Sequence, residues 1–178
     1  MKNVKLKNNF RMKIAIIYAS KHGTTEKVAG LIVEKLKDNE ISLFNVTKTK
    51  FIDIENFDYL ILGTSIYAAN PIGVMKNFCA KNLALLKEKP HSLFVCGMEP
   101  DAEKQQMELD NAFPLELQQN AVNKCFAGGE FMFEKMNFFE KFIIKRIAKT
   151  DKNVSAIKCD NIEVFLSEIN LFIKEEQK

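Results

Sequence analysis

Short, almost unbroken apolar runs recur along this chain, separated by longer segments with helical spacing. The runs at 13–18, 41–46, 59–63, 92–96 and 123–127 read as strands, and the segments at 26–37, 73–87 and 102–119 read as helices. A run such as IAII or LFVC offers no polar face to water, so it is buried on both sides. Strands of that kind, alternating with helices, predict an α/β fold with a parallel sheet covered by helices on both faces. A closing helix is expected over 161–173, with Val164, Phe165, Ile169 and Phe172 forming its apolar stripe.

The length, 178 residues, suits one domain with a sizeable core, and 47% hydrophobic with 28% charged residues is a globular composition. The longest apolar runs are about five or six residues, against the roughly 20 that a membrane-spanning helix needs. The opening MKNVKLKNNFR is basic and polar and lacks the apolar centre of a signal peptide. We read residues 1–11 as a flexible extension, residues 12–178 as the single domain with Met12 at its start, and the location as cytoplasmic. Cys79, Cys96, Cys125 and Cys159 are irregularly spaced with no CxxC pair, and only His22 and His91 could help them, so no metal site is predicted. Cys96 and Cys125 lie inside apolar runs, as buried small hydrophobes do in a reducing compartment. A net charge of +3 is too mild for a nucleic-acid footprint.

In parallel α/β sheets, ligands bind beyond the carboxyl ends of the strands. The first such loop is Ser20, Lys21, His22, Gly23, Thr24 and Thr25. Three hydroxyls, one glycine able to take positive φ, and the unpaired amides of a starting helix together suit a phosphate held by neutral donors. A hydroxyl-rich helix N-cap without any ligand stays open as an alternative from this loop alone. Neither GxxxxGK[ST] nor GxGxxG occurs. A second loop, Thr64, Ser65, Ile66, Tyr67 and Ala68, places small polar groups around one aromatic, and a third, Cys96, Gly97, Met98 and Glu99, leaves the fourth strand through a glycine. Together the three describe a mononucleotide site with a planar headgroup. The carboxylate cluster of a response regulator is missing from the ends of strands one and three, and there is no GxSxG elbow. His22 reads as a solvated loop residue whose cationic form a phosphate would stabilise. With no acid/base constellation, no catalytic residue is singled out, and the chemistry falls to the cofactor.

These loops carry a resemblance. YASKHGTTEKVA is similar to the FMN-phosphate loop of flavodoxins at Ser20, Gly23 and Thr25, and GTSIY falls where flavodoxins place a ring-flanking loop, with Tyr67 at the aromatic position. The segment FAGGEFMFEKMNFFEKFIIKRIAK resembles the insertion of the menaquinone-dependent protoporphyrinogen IX dehydrogenase branch. The resemblance implies a flavodoxin-like three-layer sandwich, with five parallel strands in the order 2-1-3-4-5, binding FMN noncovalently. It further implies an FMN-dependent oxidoreductase that passes electrons from a reduced organic substrate to a quinone. Two alternatives stand beside it: a soluble electron-transfer flavodoxin with a redox-protein partner, and an FMN-binding module without turnover. Low-potential carriers of this type are strongly acidic, so a charge of +3 favours the enzyme. Over residues 131–149, Phe131, Met132, Phe133, Met136, Phe138, Phe139, Phe142, Ile143, Ile144 and Ile147 exceed one buried stripe, and Lys135, Lys141, Lys145, Arg146 and Lys149 are interleaved. Such a segment is either a basic amphipathic helix lying on the inner face of an anionic membrane or a wide core face with solvated lysines.

Overall fold

The computed structural model describes residues 11–67, 70–136, 138, 141, 142, 145, 146 and 152–178. Five parallel strands form its centre: β1 (Lys13–Ala19), β2 (Glu40–Asn45), β3 (Tyr59–Tyr67), β5 (His91–Cys96) and β6 (Lys124–Phe126), arranged β2-β1-β3-β5-β6. Counted over these five strands alone, the order is the expected 2-1-3-4-5. A two-residue strand, β4 (Asn70–Pro71), turns back antiparallel onto the end of β3. Separately, β7 (Gly128–Phe131) and β8 (Val154–Ile157) form an antiparallel ribbon. Neither β4 nor the ribbon is expected from the sequence pattern.

The apolar strands are explained by the two cores they separate. In β1, Ile14, Ile16 and Tyr18 face one side, packing with Val28 and Ile32 of α1 (Thr24–Lys35) and with Phe165 and Ile169 of α5 (Cys159–Glu176). The intervening Ala15, Ile17 and Ala19 face the other side, with Met75 and Cys79 of α2 (Gly73–Leu86) and Leu109 of α3 (Ala102–Ala112). Successive side chains of a strand point to opposite faces, so a strand between two helical layers must be apolar throughout. Met12 is buried beside the first strand and Arg11 is exposed; the rest of the expected N-terminal extension lies outside the described residues. Among the described residues no helix is long and apolar enough to cross a membrane.

The helix expected over 102–119 is two helices, α3 and α4 (Leu115–Asn120). Pro114 lacks an N–H and forces the residue before it out of the helical region, and Phe113 is accordingly extended at φ −131°, ψ 159°. His91 is fully buried, with its ring nitrogens 2.7 and 2.8 Å from the carbonyls of Lys89 and Leu117, so this histidine belongs to the scaffold.

Pairing aligns the strand ends. Ala19 is level with Thr64, and Ser65 with Cys96, so the loops after β1, β3 and β5 open on one edge of the sheet.

Candidate functional site

The first loop is shaped by local chemistry. Ser20 Oγ accepts a hydrogen bond from the Gly23 N–H at 3.0 Å, and Gly23 takes φ +100°, a conformation that costs glycine little and other residues more. The Gly23 carbonyl then accepts the Lys27 N–H at 2.9 Å, the first bond of α1. No side chain caps this helix. Its first-turn amides therefore have no partner within the helix and carry the positive end of its dipole. Thr25 is fully buried, and its Oγ1 has no hydrogen-bond partner of good geometry; the thiol of Cys96 beside it is a weak one. A buried hydroxyl left in this way is costly unless something else completes it.

The loop opens into a cavity of about 320 Å³. Its walls include Ser20, Lys21, His22, Thr24 and Thr25 from the first loop, Ser65, Ile66 and Tyr67 from the end of β3, and Cys96, Gly97, Met98 and Glu99 after β5. Gly23 shapes the turn without lining the cavity. Thr64 lies fully buried within β3, with its hydroxyl 3.5 Å from the Ser65 carbonyl, and is likewise off the wall. Ala68 lies outside the described residues. The segment GTSIY is not a loop: β3 runs on to Tyr67, which pairs antiparallel with Asn70 of β4. The Tyr67 ring meets the phosphate-type loop directly, with Lys21 Nζ 4.0 Å from the ring centre and the His22 ring 6.2 Å away.

The remaining walls have no counterpart among the three loops. Pro100 and Glu108 come from the α3 side, and Gly129, Glu130, Phe131 and Met136 come from the ribbon and the turn beyond it. Glu108 Oε2 is buried without a partner, and burial, followed by the nearby Glu99, raises its carboxyl above the usual range. Glu130 goes the other way. Burial works to raise its carboxyl, but hydrogen bonds from Lys27 and Ser155, with the charges of Lys27 and Lys135, carry it below the usual range. Burial pushes the Cys96 thiol up to about 12, against a hydrogen bond from Thr25, so Cys96 lines the cavity as a neutral thiol.

The segment beyond Phe131 is not one helix from its start. Phe131 ends β7, a single 3-10 turn covers Phe133–Lys135, and Phe133 and Met136 are buried. The Phe133 N–H donates to Asn153 Oδ1 at 2.8 Å, tying this turn to the approach to β8. Phe138 and Phe142 are helical and exposed, at 85% and 57%, and Lys145 and Arg146 are exposed near them. Lys141 is helical and half-buried, and the other residues of 137–151 lie outside the described residues.

An uncapped helix start, a buried hydroxyl with only a thiol beside it and an aromatic-flanked cleft on one sheet edge fit a phosphorylated planar ligand. The profile of the flavodoxin domain matches residues 15–157. The chain belongs to the flavodoxin family. Its similarity to a flavodoxin of Buchnera aphidicola is 43% identity over 51 residues, which is 29% of this chain and 30% of that protein. To the protoporphyrinogen IX dehydrogenase [quinone] of Escherichia coli K12 it is 21% identical over 144 residues, 78% of this chain and 80% of that one. Among solved structures, an NADH:FMN oxidoreductase in its apo form matches with a TM-score of 0.56 at 18% identity, covering 90% of this chain and 88% of that one, which is agreement in fold.

Within this flavodoxin fold, the sequence pattern points to the three loops and misses the fourth side. Phe131 and Met136 are visible as surplus apolar residues of the insertion, but nothing in their spacing says that they turn back to the cavity. Glu108 has no local signal at all, because only the packing of α3 aims it there.

Proposed function

We propose that the cavity holds FMN and that the protein is an FMN-dependent oxidoreductase, taking electrons from a reduced organic substrate and giving them to a quinone. The observation that carries the cofactor is the fully buried Thr25 hydroxyl at the uncapped start of α1, which has only the weakly bonding Cys96 thiol beside it. Thr25, Thr24 and Ser20, with the first-turn amides, would hold the phosphate. Tyr67 and the backbone after Cys96 would flank the ring, and Phe131 and Met136 would exclude water from the fourth side. FMN, when bound, supplies the electron-transfer chemistry. Per turnover the substrate loses two electrons and two protons, and the quinone takes both to become the quinol.

Three features support an enzyme over a one-electron carrier. The similarity to the dehydrogenase runs along most of both chains, whereas the similarity to the flavodoxin of Buchnera is confined to a short stretch. The net charge is +3. The cavity has a wall built by the ribbon, which a substrate would meet on approach. The test is an anaerobic assay of FMN-loaded protein with protoporphyrinogen and a menaquinone analogue. Quinone-dependent turnover supports the enzyme, and electron exchange only with a redox-protein partner supports the soluble carrier.

A quinone acceptor lives in a bilayer, and the exposed Phe138 and Phe142, with Lys145 and Arg146 beside them, suit the headgroup region of an anionic membrane. Cosedimentation with anionic vesicles should occur at low salt and fade at high salt. Protein that stays in the supernatant at low salt would rule out this contact.

A further inference from the structure

The phosphate loop itself carries little usable positive charge. Its hydroxyls and amides are neutral donors. The Lys21 ammonium is placed over the Tyr67 ring. Lys27, on the first turns of α1, is engaged with Glu130 Oε1 at 2.7 Å, and that carboxylate is also bonded by Ser155 at 2.8 Å. A different cation reaches the loop from the insertion. Lys135 closes the 3-10 turn of the insertion, and its Nζ lies 3.1 Å from the point where a Cβ on Gly23 would stand. Among the described residues its ammonium makes no salt bridge within 4 Å.

Resting on the FMN reading above, we propose that Lys135 is a phosphate-binding residue supplied by the insertion, and that it adds to the preference for a phosphorylated flavin over its unphosphorylated form. The geometry explains why the insertion must fold back as it does. The Phe133 amide is fixed to Asn153, Phe133 and Met136 are buried, and the turn between them is thereby pinned with Lys135 facing the loop. Glu130, one strand earlier, keeps Lys27 occupied and lies near enough to Lys135 for its carboxyl to be lowered by that charge. A phosphate dianion would thus meet neutral donors from the sheet edge and one flexible ammonium from the ribbon side. Each part compensates what the other lacks, since donors give geometry and the lysine gives charge.

A second consequence concerns Gly23. Any side chain there would be strained at φ +100° and would also press on the Lys135 ammonium, so the glycine keeps both the turn and the lysine's position.

The test measures dissociation constants of the full chain for FMN and for riboflavin, at low and high salt, in wild type, Lys135→Gln and Lys135→Arg. The glutamine variant should weaken FMN by about tenfold, as expected when a charge-assisted hydrogen bond is removed at a partly exposed site, and flatten its salt dependence. Riboflavin affinity should not change, which also reports that the variant is folded. Arginine should restore most of the loss. If wild type prefers FMN and Lys135→Gln binds FMN as tightly as wild type, the lysine has no such role and the cofactor reading survives. If wild type binds riboflavin as well as FMN, both readings fall.

Discussion

The two halves of the cavity are held in place by very different amounts of structure. The half made by residues 20–22, 24, 25, 65–67 and 96–99 hangs directly from three adjacent parallel strands, whose side chains are buried in cores on both faces. The half made by Gly129, Glu130, Phe131 and Met136 depends on a two-stranded ribbon and a few ties. These are Gly97 N–H to the Gly128 carbonyl at 3.2 Å, Lys158 N–H to the Ala127 carbonyl at 2.9 Å, and the Lys27–Glu130 ion pair. An isolated two-stranded ribbon is only marginally stable. The sheet half is therefore preorganised, and the ribbon half is the place where opening costs least.

The largest effect should come from breaking the ribbon half at its root. Gly128 takes φ +73°, and a Cβ there would stand 2.0 Å from the Ala156 carbonyl oxygen. Gly128→Ala should cost about 3 kcal/mol, combining backbone strain with crowding. Thermal melting should show the loss, and FMN titration should show a weakened site. If the sheet keeps its cooperative transition while FMN binding is lost, the two halves are separable. If everything unfolds together, ribbon and sheet form one cooperative unit and the contrast between them fails.

Next in size is a cut in the sheet half. Thr25→Ala removes one donor to a charged group, worth roughly 1.5 to 3 kcal/mol, so FMN affinity should fall about tenfold or more. Riboflavin should bind the variant as it binds wild type. A drop that is equal for both flavins would place Thr25 at the ring and not at the phosphate.

Tyr67→Ala should have a smaller effect, about 1 kcal/mol beyond lost area, and should brighten the fluorescence of bound flavin. Unchanged emission would assign the stacking to another residue.

The smallest effect concerns pH. Burial, then Glu99, raises the Glu108 carboxyl above its ordinary value of 4.5. The folded protein then holds more protons than the unfolded chain between 4.5 and the raised value, so stability from this group is present below 4.5 and falls as pH rises through that window. In Glu108→Gln this part of the pH dependence should vanish, as read by melting temperature across roughly pH 4 to 7. A variant that retains the full slope would mean that another carboxyl is responsible.

How much of this was legible in the sequence follows from how far each signal reaches. The strands declare themselves because double burial demands continuous apolar residues, as in IAII and LFVC. The loop at 20–25 is legible because Ser20, Gly23 and Thr25 solve a local problem, a tight turn into a helix start. Pro114 is equally local, and its break of the helix over 102–119 could have been read from it. The ribbon is not legible in this way. Gly128 and Gly129 hint at an unusual backbone, but β7 pairs with β8 across the insertion, and such pairing leaves no periodic trace. The aromatics of 131–136 then read as part of one amphipathic helix, when tertiary packing turns Phe133 and Met136 inward and leaves Phe138 and Phe142 outside. Glu108 and Lys135 become part of the site only through packing.

On the FMN reading, the loop after β1 binds the phosphate of a flavin whose ring lies in the joined cavity. Titration of flavin-free protein with FMN and with riboflavin, followed by quenching of flavin fluorescence, tests it most directly. FMN should bind at least about a hundredfold more tightly, as two or more charge-assisted hydrogen bonds would provide. Equal affinity for the two flavins, or no uptake of FMN, would contradict it.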